Sequence, residues 1–156
     1  GEVVFLPTEV ISPALKRLLD VRRVVGVRNS AHSLVKLLNP VAGDALVISS
    51  YTHPEYALSM AATLELMHTR ALLLRGTEGE AVADARRQPQ MDAFIRGQRI
   101  PLVQAQNGPL VKLPEWPASI DAQSTAEYTR QVLAGALPTP EPIAAQVRAV
   151  VQALAH

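Results

Sequence analysis

Ala45-Leu-Val-Ile-Ser-Ser50, then Thr52-His-Pro-Glu55 and the residues to His68, then Arg70-Ala-Leu-Leu-Leu-Arg75 form the stretch on which the fold turns. The first and last runs are nearly continuous in apolar residues, the pattern of strands covered on both faces. Between them Thr52 and Glu55 have capping-box spacing with Pro54 in the first turn, and a helix is expected to about His68 with Ala57, Met60, Ala61 and Leu64 inward. Strand, helix, strand in that order reads as a right-handed β-α-β crossover with parallel strands. His53 and Glu55 resemble an acid/base pair, but capping accounts for Glu55 without chemistry.

Beyond the second strand, Gly76-Thr-Glu-Gly-Glu80 occupies the carboxyl end of the sheet, where open α/β folds take ligands. Glu78 and Glu80 fit either a magnesium site or a glycine-flanked turn with exposed acids. Ala83 to Pro89 reads as an exposed loop carrying Arg86 and Arg87. Met91 to Arg96 and Arg99 to Gln104 read as an antiparallel hairpin turning at Gly97-Gln98. Asn107 to Ala122, with Pro109, Pro114 and Pro117, is expected to be mostly loop. Ser124 and Glu127 have capping-box spacing for a helix stopping near Gly135, and after a proline joint Ile143, Val147, Val150 and Leu154 mark the inner face of a last helix.

Upstream, Gly1 to Pro7 reads as a short strand. Ser12-Pro13 starts a helix that Gly26 stops, with Ala14, Leu18, Val21 and Val25 as its inner stripe and Leu15 and Leu19 at the edge. Arg22 falls beside Leu15 and Leu18, where it must snorkel, pair with a carboxylate or face an anionic ligand. Lys16 and Arg23 point away from that stripe. Asn29-Ser30 caps a second helix ended by Asn39-Pro40, with Ala31, Leu34, Val35, Leu37 and Leu38 apolar and His32, Ser33 and Lys36 polar. Asp20 to Pro40 thus gathers four arginine and lysine side chains and His32, five basic groups, against one acid.

The 156 residues suit a single α/β domain, residues 1–156, and 48% hydrophobic with 19% charged residues is an ordinary globular balance. A net charge of +1 means that affinity for polyanions must come from clustering, and with three lysines among fifteen basic residues that clustering is arginine's. No cysteine means no disulfide or thiol nucleophile, and the four histidines lack metal-site spacing. No apolar run has membrane-spanning length and no leader pattern opens the chain, so the cytoplasm is expected. The start in mid-pattern without methionine suggests a fragment.

The run Gly26-Val-Arg-Asn-Ser-Ala-His-Ser-Leu-Val-Lys-Leu-Leu-Asn-Pro40, preceded by Val21-Arg22-Arg23, resembles a segment of the anthranilate phosphoribosyltransferases (glycosyl transferase family 3). Arg28-Asn-Ser-Ala-His32, Thr52-His-Pro-Glu-Tyr56 and Leu72-Leu-Leu-Arg-Gly-Thr-Glu-Gly-Glu80 together resemble a divergent branch, the YbiB-type proteins, from about Pro7 to Ala134. The resemblance implies part of a nucleoside phosphorylase/phosphoribosyltransferase catalytic-domain fold: α/β, with a mainly parallel sheet flanked by helices and an appended antiparallel hairpin. It also implies the carboxyl-terminal portion of a two-domain protein, dimerised through an amino-terminal helical domain absent from this chain.

In the transferases the metal acids fall where this chain has Ala81 and Val82, and the phosphoribosyl pyrophosphate loop lies upstream of this region. Only Arg22 lands on the arginine that the family uses near its aromatic acceptor. The branch binds nucleic acids with little sequence preference, so the expected function is non-specific binding of single-stranded DNA or RNA rather than catalysis, with no cofactor and no membrane partner. Lys16, Arg17, Arg23 and Lys36 are the expected phosphate contacts, with Arg86 and Arg87 a second patch. The alternative is a phosphoribosyltransferase acting on an aromatic acceptor held by Arg22, with magnesium, phosphoribosyl pyrophosphate and the absent segment supplying the rest.

Overall fold

The computed structural model describes residues 2–108, 116, 117 and 119–156. They form two compact units, Gly1–Val47 and Ile48–His156.

In the first unit, α1 (Thr8–Ile11) and α2 (Pro13–Val25) are followed by α3 (Ala31–Leu34), which runs into a 3-10 turn over Val35–Leu37. The strand expected at the start does not form: residues 2–7 have no regular structure, and Phe5 is exposed. A strand needs a ladder partner, and the four paired strands among the described residues all come from Val47 onward. α2 has the expected bounds. The Leu15 amide donates to Ser12 Oγ at 3.3 Å, Pro13 opens the helix, and Gly26 closes it in the left-handed region at φ 77°.

The side of α2 that is covered differs from the expected stripe. Ala14, Leu18, Val21 and Val25 are exposed, while Leu15 and Leu19 are half-buried beside Lys16 and Asp20. Within this unit α2 packs against α1 and α3, one turn each, which cover only a flank. The second helix is shorter than expected. Asn29 is its true cap, accepting the Ala31 amide at 3.0 Å and donating through Nδ2 to the Leu18 carbonyl at 2.7 Å, whereas the Ser30 side chain makes no cap bond.

The second unit is built on β1 (Val47–Tyr51), α4 (Pro54–Leu66), β2 (Ala71–Arg75), β3 (Met91–Ile95) and β4 (Gln98–Val103), followed by α5 (Ala122–Leu133) and α6 (Glu141–Leu154). The sheet order is β1-β2-β3-β4, with β2–β3 and β3–β4 antiparallel. The fold is α/β, a mixed sheet flanked by helices, with its parallel character in the β1-α4-β2 crossover and the hairpin added beyond β2. Leu72, Leu74 and Met91 pack with Ala83 and Ala149 into one core. Strand alternation puts Ala71, Leu73, Asp92 and Phe94 on the opposite face. Met60, Ala61 and Leu64 are the buried side of α4, as their spacing predicts.

The hairpin turns one residue earlier than expected. Arg96 (φ 52°) and Gly97 (φ 78°) both take the left-handed region that a two-residue type I′ turn needs, and Gln98 already pairs with Ile95. Neither expected capping box forms. α4 starts at Pro54 with no side-chain bond from His53, its N-cap. α5 starts two residues ahead of Ser124, because its N-cap is Asp121, which accepts both the Ser124 amide and hydroxyl at 2.8 Å.

On α6 the inner face is Pro142, Ala145, Gln146, Ala149 and Ala153, with Val147 and Leu154 exposed and Ile143 and Val150 only half-buried. Alanines let the helix backbone approach the sheet, and Gln146 fixes its rotation by accepting from the Ala83 amide at 2.7 Å and donating to the Ala81 carbonyl at 2.8 Å. The expected loop at Asn107 to Ala122 is irregular at its described positions up to Asp121, Ala122 already opening α5, and its residues 109–115 and 118 lie outside the described residues.

Candidate functional site

The basic residues of the first unit divide by their partners. Lys16 Nζ lies 2.5 Å from Asp20 Oδ2, and Arg23 Nε lies 3.7 Å from the other oxygen with four-fifths of its side chain exposed. Lys16 therefore does not stand free toward water as the helical wheel suggests: its hydrogen bond is the main reason that the Asp20 carboxyl sits below its ordinary value. Arg22 is exposed instead of facing inward. Arg17, Arg22 and Arg28 are all exposed, and among the described residues no carboxylate is within ion-pair distance of them. Lys36 is half-buried in the 3-10 turn and already has an interaction partner.

In the second unit, Arg86 is clamped by Asp84 in a two-pronged bridge, Nε to Oδ1 at 2.9 Å and Nη2 to Oδ2 at 2.7 Å. Arg87 donates to the Gly108 carbonyl at 3.1 Å. Arg86 thus enters any polyanion contact with its charge largely answered. The loop is less open than its sequence suggests, since Ala83 is buried at its base.

The loop after β2 is closed on itself. Glu80 Oε1 accepts from the Thr77 amide and hydroxyl, and Oε2 from the Glu78 amide, all at 2.8 Å. A Cβ on Gly76 would come within 2.6 Å of the Glu80 carbonyl, so only glycine fits this approach. No group of three potential metal ligands occurs among the described residues. Burial pushes the Glu80 carboxyl up, but its own amide, the Thr77 hydroxyl and amide and the Glu78 amide together hold it at about 2. The loop's contribution to stability is therefore complete above the ordinary value of 4.5 and is lost as pH falls toward 2. An acid titration followed at the Thr77 and Glu78 amides by NMR should show loop opening near the lower value, and Glu80→Gln should abolish the transition. A midpoint at the ordinary glutamate value would refute the closed loop.

A part-buried polar pair on the β3–β4 hairpin escaped the sequence reading. Asp92 on β3 is 5% exposed and accepts from Arg99 of β4 through Nη2 at 2.6 Å and Nε at 3.1 Å, and from Gln90 Nε2 at 2.9 and 3.1 Å. Tyr51 ends β1 and Arg75 ends β2, the two joined by the Gly76 amide donating to the Tyr51 carbonyl at 2.9 Å. Burial pushes the Tyr51 phenol up; the charge of Asp92 adds to this, and Arg75 and Arg99 oppose it. Aspartate inside the apolar run Met91-Asp-Ala-Phe-Ile95 was the available signal, because a carboxylate there needs a cation.

An open groove of about 600 Å³ runs along α5, lined by Trp116, Asp121, Glu127, Tyr128 and Leu137 among others. Among the described residues its lining carries carboxylates and no basic side chain.

No protein-family model matches the chain. Over 146 residues it is 39% identical to a protein of Escherichia coli (strain K12) described as "Uncharacterized protein YbiB", a match covering 92% of this chain and 45% of that protein. It is 36% identical over 72 residues to the anthranilate phosphoribosyltransferase of Thermus thermophilus, covering 46% of this chain and 22% of the enzyme. The corresponding figures for the Metallosphaera sedula enzyme are 32% over 76 residues, 49% and 22%. The chain spans less than half the length of these curated relatives. It is thus partly homologous to YbiB and more distantly related to anthranilate phosphoribosyltransferases. No helix among the described residues is long and apolar enough to cross a membrane.

Proposed function

We propose that this chain binds nucleic acid with little sequence preference and does not by itself transfer phosphoribosyl groups. The observation that carries the reading is the exposure of Arg17, Arg22 and Arg28 with no carboxylate partner among the described residues, beside an Arg23 that is only loosely held. Arginine forks suit phosphate oxygens, and such contacts supply most non-specific affinity. With 4% aromatic residues, base stacking has little to offer and backbone charge dominates. Ala81 and Val82 at the transferase metal positions, and Glu80 spent on its own loop, speak against catalysis. We further propose that the protein is cytoplasmic and works as a homodimer.

The test is fluorescence anisotropy with a labelled single-stranded oligonucleotide across a salt series, comparing the parent with Arg17→Glu/Arg22→Glu/Arg23→Glu. Loss of three phosphate contacts should flatten the slope of log K against log salt by about 2. An unchanged slope in a folded variant sinks the reading for this surface. The rival rests on the distant likeness to the transferases. It requires turnover of phosphoribosyl pyrophosphate by the intact protein and its loss on Arg22→Ala.

A further inference from the structure

We infer that the open side of α2 is a docking seam for an amphipathic helix whose apolar stripe is flanked by acidic side chains. The inference goes beyond the nucleic-acid reading, because it rests on apolar residues for which a phosphate backbone has no use. Ala14, Leu18, Val21 and Val25 are all exposed and recur at intervals of four, three and four residues, the spacing by which one helix presents a seam to another. Leu18, Val21 and Val25 show 54%, 42% and 62% of their surfaces to solvent, and Val24 beside them shows 89%. Ser12 and Gly26 fix both ends of the helix, so the seam is formed before a partner arrives.

This seam is the second apolar side of the helix. Leu15 and Leu19 lie off it and are half-buried, and the ion pairs of Asp20 with Lys16 and Arg23 lie on the far side. A helix with apolar residues on two sides is built to be covered on both. Only the first of these sides is covered within the unit.

Charge selects the occupant. Arg17 stands on one edge of the seam and Arg22 on the other, the positions from which paired helices exchange side-chain charges. In a second copy running parallel, Arg17 would meet Arg22; running antiparallel, each would meet its own counterpart. Either way like charges face each other, so the seam rejects itself and accepts a helix with glutamate or aspartate at both edges. Among the described residues no carboxylate lies within ion-pair distance of Arg17 or Arg22 to answer them from within the chain. A homodimer built through this seam is therefore disfavoured. The stripe is also narrow and holds neither Trp nor Phe, whereas helices that lie on a lipid surface carry a broad apolar face anchored by such residues.

The experiment is fluorescence anisotropy of labelled helical peptides with leucine at the seam positions and either glutamate or lysine at both edges, titrated with the whole chain at low salt. Saturable binding of the glutamate peptide is expected, with the lysine peptide about tenfold weaker, since each exposed edge pair turns from attraction to repulsion. Arg17→Glu/Arg22→Glu should reverse that preference. Leu18→Ser, at an exposed position, should weaken the glutamate peptide about tenfold and leave the oligonucleotide salt slope unchanged, which separates a failure here from a failure of the nucleic-acid reading. Equal binding of both peptides, binding of neither, or binding untouched by Leu18→Ser in a folded protein would overturn the inference. Sedimentation of the chain alone and flotation with phosphatidylserine-containing vesicles are parallel arms. Self-association or vesicle binding that is lost on Leu18→Ser would overturn the inference in favour of a second copy or a lipid surface.

Discussion

Phe94→Ala lowers the unfolding free energy by about 4 kcal/mol, the usual cost of deleting a buried aromatic ring. Phe94 is completely buried and is the largest fully buried side chain. It sits opposite Ala71 on one side and Arg99 on the other, in the middle strand of the antiparallel three. Its backbone is held by two ladders, so the surroundings cannot collapse to fill the space, and the cavity cost adds to the lost transfer energy. In urea the midpoint should fall by about 2 M for a typical slope near 2 kcal/mol per M. Val151→Ala on the exposed side of α6 provides the contrast, expected within about 0.5 kcal/mol of the parent. Equal effects at the two positions would mean that Phe94 is not packed as its complete burial requires.

The parts of the fold that the sequence made legible are those decided locally. Ser12, Pro13 and Gly26 mark the ends of α2 because a cap oxygen, a preset φ and a left-handed stop act within one turn. The β1-α4-β2 crossover shows in two apolar runs around a periodic segment, and the hairpin in a glycine between alternating residues. Failures occur where a distant partner decides. Val3, Val4 and Phe5 have strand composition but no ladder to join. The α6 pattern pointed to Val147 and Leu154, yet the sheet accepts the alanine side, where backbone approach and the Gln146 bonds outweigh side-chain size.

The candidate site was legible to the same degree. Residue type placed arginines on α2 correctly, but whether a cation is free depends on what faces it. Lys16 is spent on Asp20 and Arg86 on Asp84, partners four and two residues away that counting charges treats as background. The pairing of Asp92 on β3 with Arg99 on β4 is a juxtaposition set by the hairpin's register and invisible to local pattern.

The two halves of that ion pair are expected to behave differently. Arg99→Ala strands a carboxylate that is 5% exposed with only the Gln90 amide for compensation, and should cost about 3 kcal/mol. Asp92→Ala releases a guanidinium whose side chain is already 41% exposed and can turn to water, so the loss should be about 1 kcal/mol. The double variant Asp92→Leu/Arg99→Met removes both charges while keeping apolar volume, and should come close to the parent. Denaturant unfolding of the parent and the three variants measures the asymmetry directly. If Asp92→Ala proved the more damaging, the pair would be a stabilising bridge in its own right. The expected order instead makes Asp92 the dependent partner, a buried carboxylate tolerated because Arg99 and Gln90 answer its charge.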